Sequence, residues 1–203
     1  MEILFASSNT AKIERIKKLI HYKNMRVLSL SDLEIKLAEP EETGKDAVEN
    51  SKIKAAYYYK KTGKKYPVLA QDDTMNLFGI DPTEDPGVSI KQPVLKEFGD
   101  FNDTNAYKYY GNLAAKYGGK IELQFNYGHA LAFAEKVIAL PSKLKGILVA
   151  EVSKQRTPGY FLADMVKVKI NGEWRYYNSL SDREILLRDS DLAQSINSLL
   201  RRL

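Results

Sequence analysis

A short polar segment, Ser7-Ser8-Asn9-Thr10-Ala11-Lys12, separates an apolar run from a helical pattern near the start of the sequence. The amino end of a helix presents free backbone N–H groups and a positive dipole end, which suit a phosphate group. Small residues let an anion approach the backbone, and Lys12 adds a positive charge about one turn into the helix. The segment predicts a phosphate site, and an ordinary Ser/Asn helix cap is the alternative interpretation.

Acidic residues lie in two segments that are far apart in the sequence. Glu39, Glu41 and Glu42 form one group, and Asp72-Asp73 forms the other. Carboxylates from two loops can converge on a hard cation, and Mg²⁺ is usually held by one or two carboxylates plus substrate phosphates. Because the chain has two histidines and no cysteine, a metal site needs oxygen ligands, which favours Mg²⁺ or Mn²⁺. Solvated acidic loops are the alternative.

Basic residues at spaced positions add weaker signals. Lys54 and Lys91 are able to neutralise a polyphosphate, although an isolated lysine is more often solvated. In the segment Ser179-Leu180-Ser181-Asp182-Arg183, the arginine is able to stack on a base or to hydrogen-bond a phosphate. A turn with an Asp–Arg pair is the alternative interpretation of this segment.

The elements that position these residues follow from hydrophobic periodicity. Residues 2–6 predict a buried strand and residues 25–30 a second one, with a helix between them, so the chain begins β-α-β with a parallel pair. The apolar residues of this helix that share one face are Ile13, Ile16, Leu19 and Ile20. The basic residues that lie away from this face are Lys12, Arg15, Lys17 and Lys18.

The rest of the chain predicts an α/β protein whose second half is rich in strands. A helix is expected from about Lys45 to Lys61, and a short strand at 67–70 is expected to stop at Gln71-Asp72-Asp73-Thr74. Residues 81–87 predict a loop. Further helices are expected at 88–98, 103–117 and 191–202. The expected later strands are Ile121–Tyr127, Ala130–Glu135, Gly146–Val152, Met165–Ile170 and Trp174–Tyr177.

Length and composition describe a folded protein of roughly one domain. The chain has 203 residues, of which 44% are hydrophobic and 28% charged, and its net charge is +5. This charge is compatible with an anionic partner or with a plain basic surface. No apolar run is long enough to cross a bilayer, and the first residues enter a strand pattern without a secretory signal. We expect a cytoplasmic protein with no membrane partner, and the scattered basic residues give little support for nucleic acid.

Together, and in the same order along the chain, these segments resemble the Ham1-like family of inosine triphosphate pyrophosphatases. Ser7-Ser8-Asn9-Thr10-Ala11-Lys12 resembles the family's phosphate loop, and Val68-Leu69-Ala70-Gln71-Asp72-Asp73-Thr74 resembles its strand ending in Asp-Asp-Ser/Thr. Glu41-Glu42-Thr43-Gly44 and Glu49-Asn50-Ser51-Lys52-Ile53-Lys54-Ala55 are similar to its Glu-x-x-Gly segment and the helix after it. Asp85-Pro86-Gly87-Val88-Ser89-Ile90-Lys91 is similar to its Pro-Gly loop.

The resemblance implies a fold and a reaction. It implies an elongated central mixed β-sheet flanked by helices, as two lobes with a cleft between them, and commonly a homodimer. The family hydrolyses nucleoside triphosphates to monophosphate and pyrophosphate with Mg²⁺, and it prefers ITP, dITP and XTP. By position, Glu41 or Glu42 would ligate the metal with Asp73, and Asp73 would activate water beside Asp72. The residues that would bind substrate are Ser7, Ser8, Asn9, Lys12, Lys54, Thr74 and Lys91.

The segments that would contact the base depart from the family's pattern. The family's aromatic segment corresponds to Thr157-Pro158-Gly159-Tyr160-Phe161-Leu162-Ala163-Asp164, where Tyr160 or Phe161 is expected to stack on the base. The family's closing Ser-His-Arg is Ser181-Asp182-Arg183 here, and Tyr177 replaces its nearby lysine. Because base contacts decide discrimination, a pyrophosphatase for another base and a catalytically inactive nucleotide-binding homologue stay open as alternatives. A nucleic-acid-binding module would rest on the isoelectric point of about 9.1 alone.

Overall fold

The computed structural model describes residues 1–22, 24–33 and 37–203. Its strands are β1 (Glu2–Phe5), β2 (Arg26–Ser29), β3 (Val68–Phe78), β4 (Lys120–Phe133), β5 (Lys136–Val149), β6 (Val166–Ile170) and β7 (Glu173–Tyr176). Its helices are α1 (Thr10–Leu19), α2 (Ala47–Lys61), α3 (Gln92–Phe98), α4 (Asp103–Lys116), α5 (Phe161–Met165), α6 (Asp182–Arg188) and α7 (Ser190–Leu200). Every helix in the described residues falls short of the length and hydrophobicity that a membrane crossing requires.

Within the described residues, the strands form one seven-stranded sheet in the order β2-β1-β3-β4-β5-β6-β7. Strand β1 pairs in parallel with β2 and β3, whereas β6 pairs antiparallel with β5 and β7. The mixed α/β sheet flanked by helices is therefore confirmed. The chain divides into two compact units, unit 1 (Met1–Asp73, Asn126–Lys143 and Asp189–Leu203) and unit 2 (Thr74–Phe125 and Leu144–Arg188). The cleft between lobes stays a prediction.

In unit 1, α2 covers one face of the sheet. Ala55 and Tyr58 of α2 pack against small and apolar strand residues in a buried cluster. The other residues of this cluster are Ala6, directly after β1, and the strand residues Leu4, Leu28, Val68, Ala70, Ala130 and Ala132. A Cβ atom on Gly128 of β4 would lie 2.0 Å from the carbonyl oxygen of Ala47. Only glycine therefore permits the first turn of α2 to lie directly on β4.

In the same unit, α1 and α7 pack against each other. Both helices bury the apolar residues that their periodicity aligns on one side. The fully or almost fully buried residues are Ile13, Ile16 and Leu19 of α1 and Leu192, Ile196 and Leu199 of α7. Arg15 differs from the interpretation of the helical pattern, because it lies away from the apolar stripe and yet is only 8% exposed.

Unit 2 is held by an aromatic core and a buried carboxylate. Tyr110 of α4 stacks on Phe161 of α5 with ring centroids 5.4 Å apart, and its hydroxyl donates to the Ile90 carbonyl at 2.7 Å. Asp164 is fully buried. It accepts hydrogen bonds from the Tyr107 hydroxyl at 2.5 Å, the Thr157 amide at 3.0 Å and the Asn178 side chain at 2.8 Å. The carboxylate thus connects α4, the loop before α5 and the segment after β7.

The early elements follow the predictions closely. Strand β1, helix α1 and strand β2 form the predicted parallel β-α-β start. Helices α2, α4 and α7 lie within two residues of their predicted starts and ends. Helix α3 begins at Gln92, later than the predicted residue 88, and the predicted loop at 81–87 contains a short 3₁₀ helix at Pro82–Glu84.

Several predicted strand ends are wrong. The strand predicted to stop at residues 71–74 continues to Phe78, because Met75 and Leu77 are buried and extend the alternation. The two strands predicted at Ile121–Tyr127 and Ala130–Glu135 are the single strand β4, because the glycine between them marks a close helix contact and not a turn. Strand β5 begins at Lys136, ten residues before the predicted Gly146.

Candidate active site

The loop after β1 is organised by two local hydrogen bonds. Asn9 caps α1, since its side-chain oxygen accepts the Lys12 backbone N–H at 3.2 Å. The Ser7 hydroxyl accepts the Asn9 backbone N–H at 3.1 Å. Ser8 and Thr10 are exposed, and the first turn of α1 carries no acidic residue. The amino end of α1 therefore keeps a positive dipole end with no carboxylate of that turn beside it.

Asp73 on β3 forms an ion pair with the Lys12 ammonium of α1. Burial acts to raise the pKa of Asp73, but the charge and hydrogen bond of Lys12, with further help from Arg15, lower it below its usual range. The carboxylate is thus ionised at neutral pH. An ionised carboxylate in this position is able to accept a proton from water or to ligate a cation.

Asp72 faces a different set of partners. Successive strand residues point to opposite faces of a sheet, and Asp72 meets α2, where Lys54 lies 3.4 Å and the Asn50 amide 3.2 Å from its carboxylate oxygens. Burial raises the pKa of Asp72, against the opposing effect of Lys54. The adjacent carboxylates thus have pKa values moved in opposite directions, as paired acidic groups in active sites often do.

The acidic segment before α2 is joined to β3 through two residues of that helix. The Lys54 ammonium lies 2.8 Å from a Glu42 carboxylate oxygen, so Glu42 and Asp72 share one cation. The Gly44 amide donates to the Asn50 side chain at 2.7 Å, and a Cβ atom on Gly44 would lie 2.5 Å from the same oxygen. Glu42 is thus linked to Asp72 through Lys54, and both Glu41 and Glu42 are exposed.

The described residues contain no group of three or more His, Cys, Asp or Glu side chains able to hold a metal ion by themselves. The available donors are the carboxylate oxygens of Asp72, Asp73 and Glu42, which are hard ligands. Mg²⁺ typically uses one or two carboxylates and takes its other ligands from water and substrate phosphates. The donor set therefore fits Mg²⁺ as a cation shared with a polyphosphate.

The residues predicted to contact the base lie in unit 2. The Ser181 hydroxyl and amide both bond one Glu184 carboxylate oxygen at 2.8 Å, and the Glu184 amide returns a bond to the Ser181 hydroxyl at 3.4 Å. This reciprocal arrangement is a capping box that begins α6. Asp182 and Arg183 thus belong to a helix, whereas a turn was the alternative interpretation of this segment. Asp182 and Arg183 are exposed in the first turn of α6.

The other predicted contacts of unit 2 have aromatic neighbours. Tyr160 packs edge-to-face on Tyr177 with ring centroids 5.6 Å apart. The exposed Lys91 places its ammonium 5.3 Å from the ring centroid of Phe101. Thr74 is buried in β3. The roles of these residues toward a substrate stay predictions.

Comparison with known proteins identifies the family. A model of the Ham1 family matches residues 3–166. The chain belongs to the Ham1 family. Solved Ham1 structures share the fold: that of Coxiella burnetii has a TM-score of 0.75 at 19% identity and covers 100% of both chains. That of Staphylococcus aureus has a TM-score of 0.68 at 18% identity and covers 99% of this chain and 98% of its own.

Curated relatives of this Ham1 chain match over a shorter stretch. A dITP/XTP pyrophosphatase of Dictyoglomus thermophilum is 36% identical over 75 residues, which is 37% of this chain and 36% of the relative. One of Coxiella burnetii is 32% identical over 88 residues, which is 43% of this chain and 41% of the relative. The matched region thus spans about two-fifths of these relatives. The resemblance to the family seen in the sequence is confirmed.

Two buried polar residues of this Ham1 site were not predicted. Asn50 links Gly44 to Asp72, and its spacing of four residues from Lys54 was the available signal, because residues i and i+4 share a helix face. Arg15 pairs with Asp189 at the start of α7. Nothing local marks this second pair, since 174 residues separate its members.

Proposed function

We propose that this Ham1 protein hydrolyses nucleoside triphosphates to monophosphate and pyrophosphate in a Mg²⁺-dependent reaction, and that it acts on deaminated purine nucleotides such as ITP, dITP and XTP. One observation carries the proposal. Two lysine–aspartate ion pairs, Lys12–Asp73 and Lys54–Asp72, lie on adjacent residues of β3 beyond the point where its parallel neighbour β1 ends. The carboxyl ends of parallel strands are the usual ligand sites of α/β sheets. The names of the dITP/XTP pyrophosphatase relatives support this choice of substrate.

The lysines of the site are suited to exchange partners. Lys12 and Lys54 are each paired with a carboxylate in the free protein. A polyphosphate bound at the amino end of α1 would offer stronger anionic partners to both ammonium groups. Phosphoryl transfer depends mainly on positioning and charge neutralisation, so it does not require cysteine or histidine.

Asp73 is the residue we propose to act on the attacking water. Its ionised carboxylate accepts a hydrogen bond from Lys12 and would take a proton once Lys12 turns to the phosphates. We propose Asp73 as one ligand of Mg²⁺ and Glu42 as a second, with Glu41 as the alternative to Glu42. When bound, Mg²⁺ would neutralise charge on the phosphate oxygens. The homodimer stays a prediction.

A nucleotide panel tests the proposal. Purified protein is incubated with ATP, GTP, CTP, UTP, ITP, dITP and XTP, with and without Mg²⁺, and pyrophosphate release is measured. We expect release from ITP, dITP and XTP that disappears when Mg²⁺ is chelated. Preferential release from another nucleotide would support a pyrophosphatase for a different base. Thermal stabilisation by nucleotides without any pyrophosphate release would overturn the enzymatic function and indicate an inactive binding homologue.

A further inference from the structure

Helix α7 and the residue before it contact α1 at its middle and at its carboxyl end. In the middle of α1, the Arg15 guanidinium pairs with Asp189, the residue before α7. At the carboxyl end, the Asn197 side chain donates to the Leu19 carbonyl at 2.8 Å and accepts the His21 amide at 3.0 Å. These two contacts limit both the sliding of α1 along its axis and its rotation about that axis. Apolar packing alone restricts these movements less specifically.

The Arg15–Asp189 pair has a demanding geometry. Arg15 donates from two nitrogens to the two Asp189 oxygens at 2.7 and 2.8 Å, and both side chains are buried. The guanidinium also lies 5.1 Å from the ring centroid of Tyr127 on β4 and donates to its hydroxyl at 3.4 Å. A bidentate pair of this kind is stronger and more directional than a single hydrogen bond. Arg15 is thereby held against both the sheet and α7.

Asp189 lies at the helix-cap position of α7, but its side chain contacts α1 and does not cap α7. It occupies the N-cap of α7, where an acidic side chain usually accepts a backbone N–H of the first turn. Its side chain makes no such capping bond, and the carboxylate is directed to Arg15 instead. The Asp189 carboxylate therefore contacts α1 in place of capping α7. This contact is the one that a residue positioning α1 needs.

Lys12 lies one helical turn before Arg15, so the two residues are neighbours along α1. A shift or rotation of α1 would move the Lys12 ammonium away from Asp73 by a comparable distance. We propose that α7 positions the phosphate-loop helix, and that Asp189 and Asn197 are positioning residues that act through Lys12. Both residues lie beyond residue 166, where the Ham1 family match ends. Only the expected effect on turnover rests on the proposed function.

The first test measures the position of Lys12 without nucleotide or metal. Lysines are acetylated with an N-hydroxysuccinimide ester, and each site is quantified by mass spectrometry in the wild-type protein, Asp189→Asn and Asn197→Leu. We expect labelling of Lys12 to increase several-fold in both variants. Lys54, which pairs with Asp72 on the other face of the sheet, should not change. Equal labelling of Lys12 in wild type and folded variants, or an equal increase at both lysines, would overturn the proposal.

Two further variants address folding. Ile196→Ala removes buried apolar contact from α7 without altering a charge, and it should leave Lys12 labelling unchanged. If Asp189→Asn does not fold, the double variant Arg15→Met/Asp189→Leu replaces the ion pair by apolar residues, a change that buried pairs often tolerate. We expect Lys12 to be labelled more strongly in this folded double variant, and an unchanged Lys12 would count against the inference.

The second test uses turnover and separates positioning from general stability. Asp189→Asn should lower kcat/KM by about a hundredfold, the scale of a small misplacement of a reacting group. In a Lys12→Met background the same change should have no further effect, because the residue through which Asp189 acts is gone. If the double variant instead lost kcat/KM by the product of the two single losses, the inference would be contradicted. A wild-type protein without turnover would refute the proposed function alone, since the labelling result stands independently.

Discussion

In unit 1 the lysines predicted to bind phosphate pair with the carboxylates predicted to act in catalysis or metal binding, whereas in unit 2 Ser181, predicted to contact the base, pairs with a neighbour that holds the local structure. Lys12 meets Asp73, and Lys54 meets both Asp72 and Glu42. By contrast, Ser181 caps α6. The charged groups of unit 1 thus neutralise one another in ion pairs. A ligand that binds these groups more strongly than they bind each other is able to displace one member of a pair.

This difference has a chemical origin. A polyphosphate is recognised by charge, and paired acids and bases partly neutralise each other until a more highly charged anion displaces one member. A base is recognised by directional hydrogen bonds and stacking, and a hydroxyl engaged in a helix cap is not available for that purpose. Unit 1 therefore carries a clear chemical signal, while the base preference has to be measured.

The largest effect is expected at Asp73. Asp73→Asn keeps the shape of the side chain but removes the charge that accepts a proton, so pyrophosphate release should fall by about a thousandfold. Circular dichroism should show a folded protein. Asp100→Asn, an exposed acidic position in unit 2, provides the matched control with normal turnover. An active Asp73→Asn variant would place the catalytic carboxylate elsewhere.

The next prediction compares one lysine from each unit. Lys54→Met should lower kcat/KM by about a hundredfold, because it removes a largely buried charge aimed at Asp72 and the phosphates. Lys91→Met should lower it less than about fivefold, because Lys91 is exposed and its loss removes only a surface interaction. Steady-state kinetics on ITP measure both. Equal losses would contradict the assignment of Lys91 to a surface interaction only.

The predictable part of the molecule is the part with local signals. A polar cap before periodic apolar residues predicted α1 and its loop, and apolar runs predicted β1 and β2. The sequence predicts that a short strand stops at Asp72 and Asp73, whereas β3 continues to Phe78. Polar residues inside a strand resemble a strand end when only neighbouring residues are considered.

The unpredicted part depends on contacts between distant segments. Gly128 resembled a turn, yet it permits Ala47 to approach β4, a fact that only the packing of α2 reveals. Arg15 resembled a solvated helix residue, yet its partner Asp189 lies at the other end of the chain. Burial of a charge is decided by the tertiary partner, and periodicity within one helix contains no information about it.

The pH dependence of stability should distinguish the units, because both histidines lie in unit 1. Burial, helped by the charge of Arg15, lowers the pKa of His129 to about 3. The unfolded chain then binds a proton below about pH 6.5 that the folded chain does not, so stability falls as pH decreases, by about 2 kcal/mol at pH 5. Denaturant unfolding measures this loss.

Two substitutions test whether His129 causes this loss of stability. His129→Phe should remove the pH-dependent loss, whereas His21→Gln, at an exposed position, should leave it unchanged. Hydrogen exchange at pH 5 should increase in β4 residues of unit 1 before it increases in α4 of unit 2. Equal pH dependence in wild type and His129→Phe would assign the loss to other groups.

The smallest expected effect concerns Ser181, and it addresses the comparison directly. Ser181→Ala removes the side chain of a capping box and should lower the free energy of unfolding by about 1 kcal/mol. Because its hydroxyl is engaged with Glu184, the ratio of kcat/KM for ITP to that for ATP should not change. Glu184→Ala breaks the same box from the other side and also removes an ion pair with Arg175, so it should lower stability at least as much and leave the nucleotide ratio unchanged. A changed nucleotide ratio for Ser181→Ala, with an unchanged ratio for Glu184→Ala, would mean that the Ser181 hydroxyl leaves the cap and contacts the base. Ser181 would then have a role in substrate recognition and not only in the local structure of unit 2.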